Sequence, residues 1–215
     1  MLLYEVITFD CYGTLVDWES GIRAAFESVG IGGDEALSAY AEIEPKVESG
    51  PYRSYREVLT ETASRIATYV DGSFLADTLP SWKPFADTNP ALQRLRGAGI
   101  RLGILSNVDD DLLAETRKHF IVDFDVIVTA QQVGSYKPAH GHFLEARKRI
   151  GDARWLHAAQ SNFHDIIPAN ALGIPTAWIN RLGQSPLPGG NPTYEFADLA
   201  KLADFTNASR FQSTA

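Results

Sequence analysis

Apolar residues along the chain gather into short runs rich in β-branched side chains, and each run ends on polar residues. Val6-Ile7-Thr8-Phe9 runs into Asp10, Leu102-Gly103-Ile104-Leu105 into Ser106-Asn107, and Val126-Ile127-Val128 into Thr129. Trp155-Leu156-His157-Ala158 leads to Gln160-Ser161-Asn162, and Thr176-Ala177-Trp178-Ile179 to Asn180-Arg181. Runs of this length without alternation suit strands buried on both faces, as in a parallel sheet. Helical patterns lie between them. Thr88-Asn89-Pro90 reads as a cap and first-turn proline, Leu92 and Leu95 follow at helical spacing, and Gly97 and Gly99 close the helix. Asp109 to Phe120 and Gly141 to Ile150 read as two more helices. Alternating strand and helix predicts an α/β, Rossmann-like parallel sheet with right-handed crossovers. Ligands bind such sheets outside the carboxyl ends of the strands, so the polar residues that end the runs are expected to converge.

One stretch breaks the alternation. Between Asp17 and Trp82 there is no strand pattern. Instead Ile22, Phe26 and Val29 form one helical stripe, and Tyr55, Val58, Leu59, Thr62 and Ile66 another. The stretch Gly30-Ile31-Gly32-Gly33 and Ser49-Gly50-Pro51 punctuate these helices. The expected organisation is a core domain of residues 1–16 and 83–215, with a small helical cap of residues 17–82 inserted after the first strand. An insertion there is placed to cover the strand ends and exclude water.

At 215 residues, 45% of them hydrophobic, the chain is long enough for such a core plus insertion. A net charge of −8 argues against nucleic-acid and anionic-membrane partners. No segment reads as a membrane span or signal peptide, which makes a cytoplasmic address the default. The single Cys11 excludes an internal disulfide and a cysteine-based zinc cluster. The Asn207-Ala208-Ser209 sequon is read as chance.

The chemistry concentrates at the strand ends. Asp10 closes the first run, Gly13 permits a tight turn behind it, and Thr14 offers a hydroxyl to a bound anion. The segment Asp10-Cys11-Tyr12-Gly13-Thr14-Leu15 resembles the first motif of the haloacid dehalogenase superfamily, in the form found in L-2-haloacid dehalogenases. Ser106-Asn107 is similar to the second motif, Lys137 in Ser135-Tyr136-Lys137-Pro138 to the third, and Gln160-Ser161-Asn162-Phe163-His164-Asp165 to the fourth. The resemblance runs from Tyr4 to about Arg181. It implies that Asp10 is a covalent nucleophile, that Lys137 holds it ionised, and that Asn162 and Asp165 complete the catalytic set, with Asp165 on the water. It also implies that Cys11, Tyr12, Thr14, Ser106 and Asn107 contact a small anionic organic acid. Self-association as a homodimer is left open.

Departures from the pattern shape the expected reaction. Phosphatases of the superfamily carry a second Asp two residues after the nucleophile, where this chain has Tyr12. A phenol with an ordinary pKa of about 10 is a poor acid at neutral pH. They also hold magnesium with an Asp where this chain has Gln160. Both losses point to metal-independent attack on a 2-substituted carboxylic acid, through an Asp10 ester and with no cofactor. A magnesium-dependent phosphatase and an inert anion-binding module are the alternatives. The dehalogenases' halide-binding Arg has no counterpart in Tyr40-Ala41-Glu42-Ile43-Glu44, and their Tyr six residues after the Lys is Phe143 here. Arg23, Arg53 and Arg56 are the available substitutes. Opening of a strained ring, as in azetidine-carboxylate hydrolases of the group, needs the same nucleophile. His140 and His142 are read as surface residues, His164 as a helix-start residue beside the site, and Cys11 as small and packed. The four tryptophans are read as packing residues.

Overall fold

In the computed structural model, residues 2–211 are described. The chain runs β1 (Val6–Phe9), α1 (Trp18–Glu27), α2 (Gly33–Glu48), α3 (Tyr55–Ile66), α4 (Ser73–Thr78), α5 (Thr88–Gly97), β2 (Arg101–Ser106) and α6 (Asp110–Thr116). It continues β3 (Val126–Thr129), α7 (Ala130–Val133), α8 (Gly141–Ile150), β4 (Trp155–Ala159), α9 (Ile167–Ala171), β5 (Thr176–Ile179), β6 (Tyr194–Phe196) and α10 (Leu199–Phe211). A wide turn of π-helical type, Asn162–Ile166, joins β4 to α9. The side chains of Asn207 and Ser209, which carry the sequon, lie outside the described residues.

The strands form a parallel sheet in the order β3-β2-β1-β4-β5-β6. The five apolar runs are its five longer strands. The sixth, Tyr-Glu-Phe, is a three-residue edge strand that carries no apolar run. Alternate residues of β1 face opposite sides. Ile7 and Phe9 pack with Leu92 and Leu95 of α5 and Leu202 of α10. Val6 packs with Val128 and with Phe143 and Ala146 of α8 on the other side. Each such fully buried Leu or Phe contributes about 1.5–3 kcal/mol, so both faces lock the strands that carry the site. β1 lies between β2 and β4, with Phe9 level with Ile104 and Ala158. Asp10, Ser106 and the start of the π turn therefore emerge at the carboxyl end of the sheet.

Helices α1 to α4 leave β1 and return beside it. Asp17 N–H donates to the Lys83 carbonyl at 2.9 Å and Phe85 N–H to the Leu15 carbonyl at 3.0 Å, so exit and return are stitched together. The α5 start differs from expectation. Asp87, not Thr88, holds the cap position, and its carboxylate is spent on Arg181 at 3.0 Å and on the Leu199 N–H at 2.7 Å. Thr88 is buried and donates to the Leu15 carbonyl at 2.8 Å, which draws it away from a capping role. His142 corrects a second expectation. It is fully buried in α8 rather than on the surface, and burial pushes its imidazole down to about 3, with Lys137 adding. A neutral ring is what an apolar helix face tolerates.

Candidate active site

Asp10 leaves the end of β1 into a turn that Gly13 makes at φ +99°. A Cβ on Gly13 would also stand 3.3 Å from both Gln160 Oε1 and Trp18 Nε1, so crowding adds to the positive φ in favouring glycine there. Asp10 is 8% exposed and Lys137 2%. Lys137 Nζ donates to Asp10 Oδ1 at 2.9 Å, to Asp165 Oδ1 at 2.7 Å and to the Leu105 carbonyl at 2.9 Å. All three of its N–H bonds are thereby used. Thr14 donates to Asp10 Oδ2 at 2.9 Å and accepts from the Gln160 N–H at 2.9 Å. Both oxygens of Asp10 are thus oriented.

A buried relay stands behind Asp165, which is 1% exposed. Trp155 Nε1 donates to Thr8 Oγ1 at 2.7 Å, and Thr8 Oγ1 lies 2.8 Å from His157 Nδ1. The indole has only a donor, so the Thr8 proton is free for Nδ1. His157 then carries its proton on Nε2, which faces Asp165 Oδ1 at 2.9 Å. Phe143 packs edge-on against that ring at 5.2 Å. Asp165 Oδ2 is buried and has no hydrogen-bond partner among the described residues.

The charges follow from this geometry. Burial pushes the Asp165 carboxyl up, but the Lys137 charge and the His157 hydrogen bond outweigh it and hold it well below the usual carboxylate range. Burial pulls the Lys137 ammonium down, yet the two carboxylates keep it above its ordinary value. Burial raises Asp10, opposed by Lys137 and reinforced by Asp165.

Above Asp10 lies a cavity of about 290 Å³. Asp10, Ser106, Lys137 and Asp165 line it from the sheet side. Glu44 and Glu48 of α2 line it from the helical segment, with Trp18, Tyr40, Tyr55 and Trp82. Ser106 Oγ is buried without a partner among the described residues and is free to donate.

Not every expected residue meets the cavity. Asn162 is turned away: its Nδ2 donates to the Gly190 carbonyl at 2.8 Å and its Oδ1 accepts from the Leu187 N–H at 3.1 Å. It ties down a loop, so a catalytic contact through its side chain is corrected. Cys11 sits in the apolar core, and burial raises its thiol well above its ordinary value; its side chain touches no ligand space. Thr14 holds the nucleophile rather than the substrate. Asn107 reaches the cavity, but its amide bridges the Lys137 backbone at 2.7 and 3.0 Å and Glu48 at 3.2 Å, which leaves no side-chain N–H for an anion. Tyr12 lines the cavity, yet its hydroxyl meets Thr116 at 2.9 Å, and Thr116 donates to the Leu112 carbonyl. The phenol proton therefore points away from Asp10. His164 reaches the cavity wall, with burial lowering its imidazole.

No arginine lines the cavity among the described residues. Arg23 pairs with Asp34, Arg53 with Glu61, and Arg56 with Asp77 and Asp111, all away from Asp10. The donors suit a divalent cation poorly. Lys137 already bridges Asp10 and Asp165, and Gln160 offers an amide where a hard ion prefers a carboxylate. Three residues placed at the site were passed over in the sequence: His157, Glu44 and Glu48. A histidine within an apolar strand and two glutamates four apart on one helix are the signals that were there.

Residues 4–159 match the haloacid dehalogenase-like hydrolase family. The chain is 30% identical to (S)-2-haloacid dehalogenase H-109 of Pseudomonas putida, over 94% of this chain and 97% of that protein. It is 31% identical to (S)-2-haloacid dehalogenase 4A of Burkholderia cepacia, over 89% and 87% respectively. The crystal structure of the L-2-haloacid dehalogenase RSc1362 superposes with a TM-score of 0.83 at 24% identity, covering 95% of this chain and 99% of that one.

Proposed function

The chain belongs to the haloacid dehalogenase-like hydrolases, and from that premise we propose that it attacks small 2-substituted carboxylic acids through an ester on Asp10, without a metal. The observation that carries this reading is Lys137 Nζ set between Asp10 Oδ1 and Asp165 Oδ1 at 2.9 and 2.7 Å. The ammonium stands where it neutralises both carboxylates, which keeps the nucleophile ionised despite burial. One Asp10 oxygen attacks the carbon beside the substrate carboxylate. The leaving group departs with the bonding pair, and Asp10 becomes an ester. The free hydroxyl of Ser106 holds the substrate carboxylate. Water then adds to the Asp10 ester carbonyl, oriented by the free Oδ2 of Asp165, and the 2-hydroxy acid leaves with an oxygen from Asp10. The segment 17–82 acts as the cap that closes this chemistry from bulk water. In this reading Asp10, Lys137 and Asp165 carry the reaction, Thr14 and His157 position them, and Asn162 supports the loop beside them.

The relatives named (S)-2-haloacid dehalogenase make 2-haloacids the first substrates to try. Each enantiomer of 2-chloro- and 2-bromopropionate is incubated with the protein and EDTA, and halide is measured. Release that survives EDTA and vanishes in Asp10→Asn is expected. Turnover that requires magnesium would overturn the metal-free reading.

A further inference from the structure

Glu44 and Glu48 stand one turn apart on α2, and both line the cavity that holds Asp10. Like charges at this spacing destabilise a helix. Among the described residues each glutamate receives one bond, from a neutral donor: Tyr55 hydroxyl to Glu44 at 3.2 Å and Asn107 Nδ2 to Glu48 at 3.2 Å. Neither forms an ion pair among the described residues, whereas Lys137 is fully committed to Asp10 and Asp165. Half-buried carboxylates without a cation are left undercompensated. The walls beside them are aromatic, with Trp18 and Tyr40 rings 5.7 Å apart and the Tyr40 and Tyr55 hydroxyls joined at 3.0 Å. At the sheet side, the buried Ser106 Oγ has no partner among the described residues, and Ser106 lines the same cavity. A hydroxyl buried this way needs a ligand to bond.

We infer that the α2–α3 wall of the cavity is a subsite for a cationic nitrogen, so that the substrate carries an ammonium group as well as its carboxylate. Carboxylates recognise an ammonium by charge and ring faces by their quadrupole. Once ionised, the two glutamates would also repel a halide or a second carboxylate at the same wall. The cavity is therefore polarised, with the Ser106 donor near the nucleophile and acids on the helical side, which fits a small zwitterion. The inference rests on the Asp10 reading only for the reaction, not for binding.

The groups facing the two glutamates fix how this subsite responds to pH. They are Tyr40 from α2, Tyr55 from α3, and Tyr136 and Lys137 from the segment before α8. Burial pushes Glu44 up to about 7, and burial with Glu44 repulsion pushes Glu48 up to about 8. Cation affinity should therefore rise as pH rises through that range.

Calorimetric titration of the full chain with propylammonium tests the subsite without turnover. Saturable binding that tightens from about pH 6 to pH 9 is expected, weakened about tenfold or more in the Glu44→Gln/Glu48→Gln double variant. Thermal melts check that the variant folds, and relief of the repulsion should leave it no less stable. Equal affinity in parent and variant, or no saturable binding, overturns the inference. Asp10→Asn separates the two readings, because it should bind propylammonium normally while losing all ester formation.

Discussion

Lys137 has no spare N–H, and that is why its loss should be severe. Lys137→Met leaves Asp10 and Asp165 facing each other in a buried site. Removing one partner of a buried charge set costs about 3–5 kcal/mol, so chemical denaturation should show a drop of that order together with loss of turnover. Asp10 gives a pH signature. It attacks only when ionised, and its carboxyl is raised by burial above the ordinary value of about 3.9. Activity should fall as pH drops through that raised value, so the acid limb of kcat/KM lies above about pH 4. A limb at or below that pH would contradict the assignment. His157 acts through Asp165 rather than on substrate. His157→Leu removes a hydrogen bond to a charged group, a loss of about 1.5–3 kcal/mol. If Asp165 orients the water, the variant should accumulate the Asp10 ester by intact-protein mass spectrometry, whereas a purely structural defect would slow both steps alike.

Elements tie the helical segment to the sheet at identifiable bonds. The N-terminus of α3 is satisfied from two sides. Ser54 caps it in its own chain, with Glu57 completing the box. Asp109, at the head of α6, accepts from the Tyr55 and Arg56 N–H groups at 3.0 and 2.9 Å. A buried carboxylate on a helix N-terminus stabilises by about 1–2 kcal/mol. Asp109→Ala should therefore speed hydrogen exchange at Tyr55 and Arg56 and raise KM. Asp111→Ala, which removes an exposed partner of Arg56, should change stability by less than about 1 kcal/mol. At this scale the sequence was legible where periodicity is strong. The five apolar runs and the α8 pattern are single-purpose signals, and they are β1 to β5 and α8. β6 was not legible, because three residues on a half-exposed edge carry no run. Thr88 misled because its hydroxyl found a tertiary partner in Leu15. Asn162 misled because motif spacing gives a position on the turn but not the direction of the side chain.

The whole molecule carries a net charge of −8, and some of its acids line the cavity. An anionic substrate is repelled on approach, and salt screens that repulsion over about 8–10 Å. kcat/KM for a 2-haloacid should therefore rise with ionic strength, while that for an ammonium-bearing acid should change little or fall. Steady-state rates across a salt series check the sign. The family, the parallel sheet and the convergence of Asp10, Ser106, Lys137 and Asp165 were readable from local patterns. The identity of the opposite wall was not, because it depends on how α2 and α3 lie over the sheet. The ester route sends one carboxylate oxygen of Asp10 into the product, and turnover in heavy-oxygen water follows that oxygen. With enzyme in excess over 2-bromopropionate, the account predicts heavy oxygen in the Asp10 peptide and none in the first-turnover product. Heavy oxygen appearing directly in the product, with Asp10 unlabelled, would contradict it.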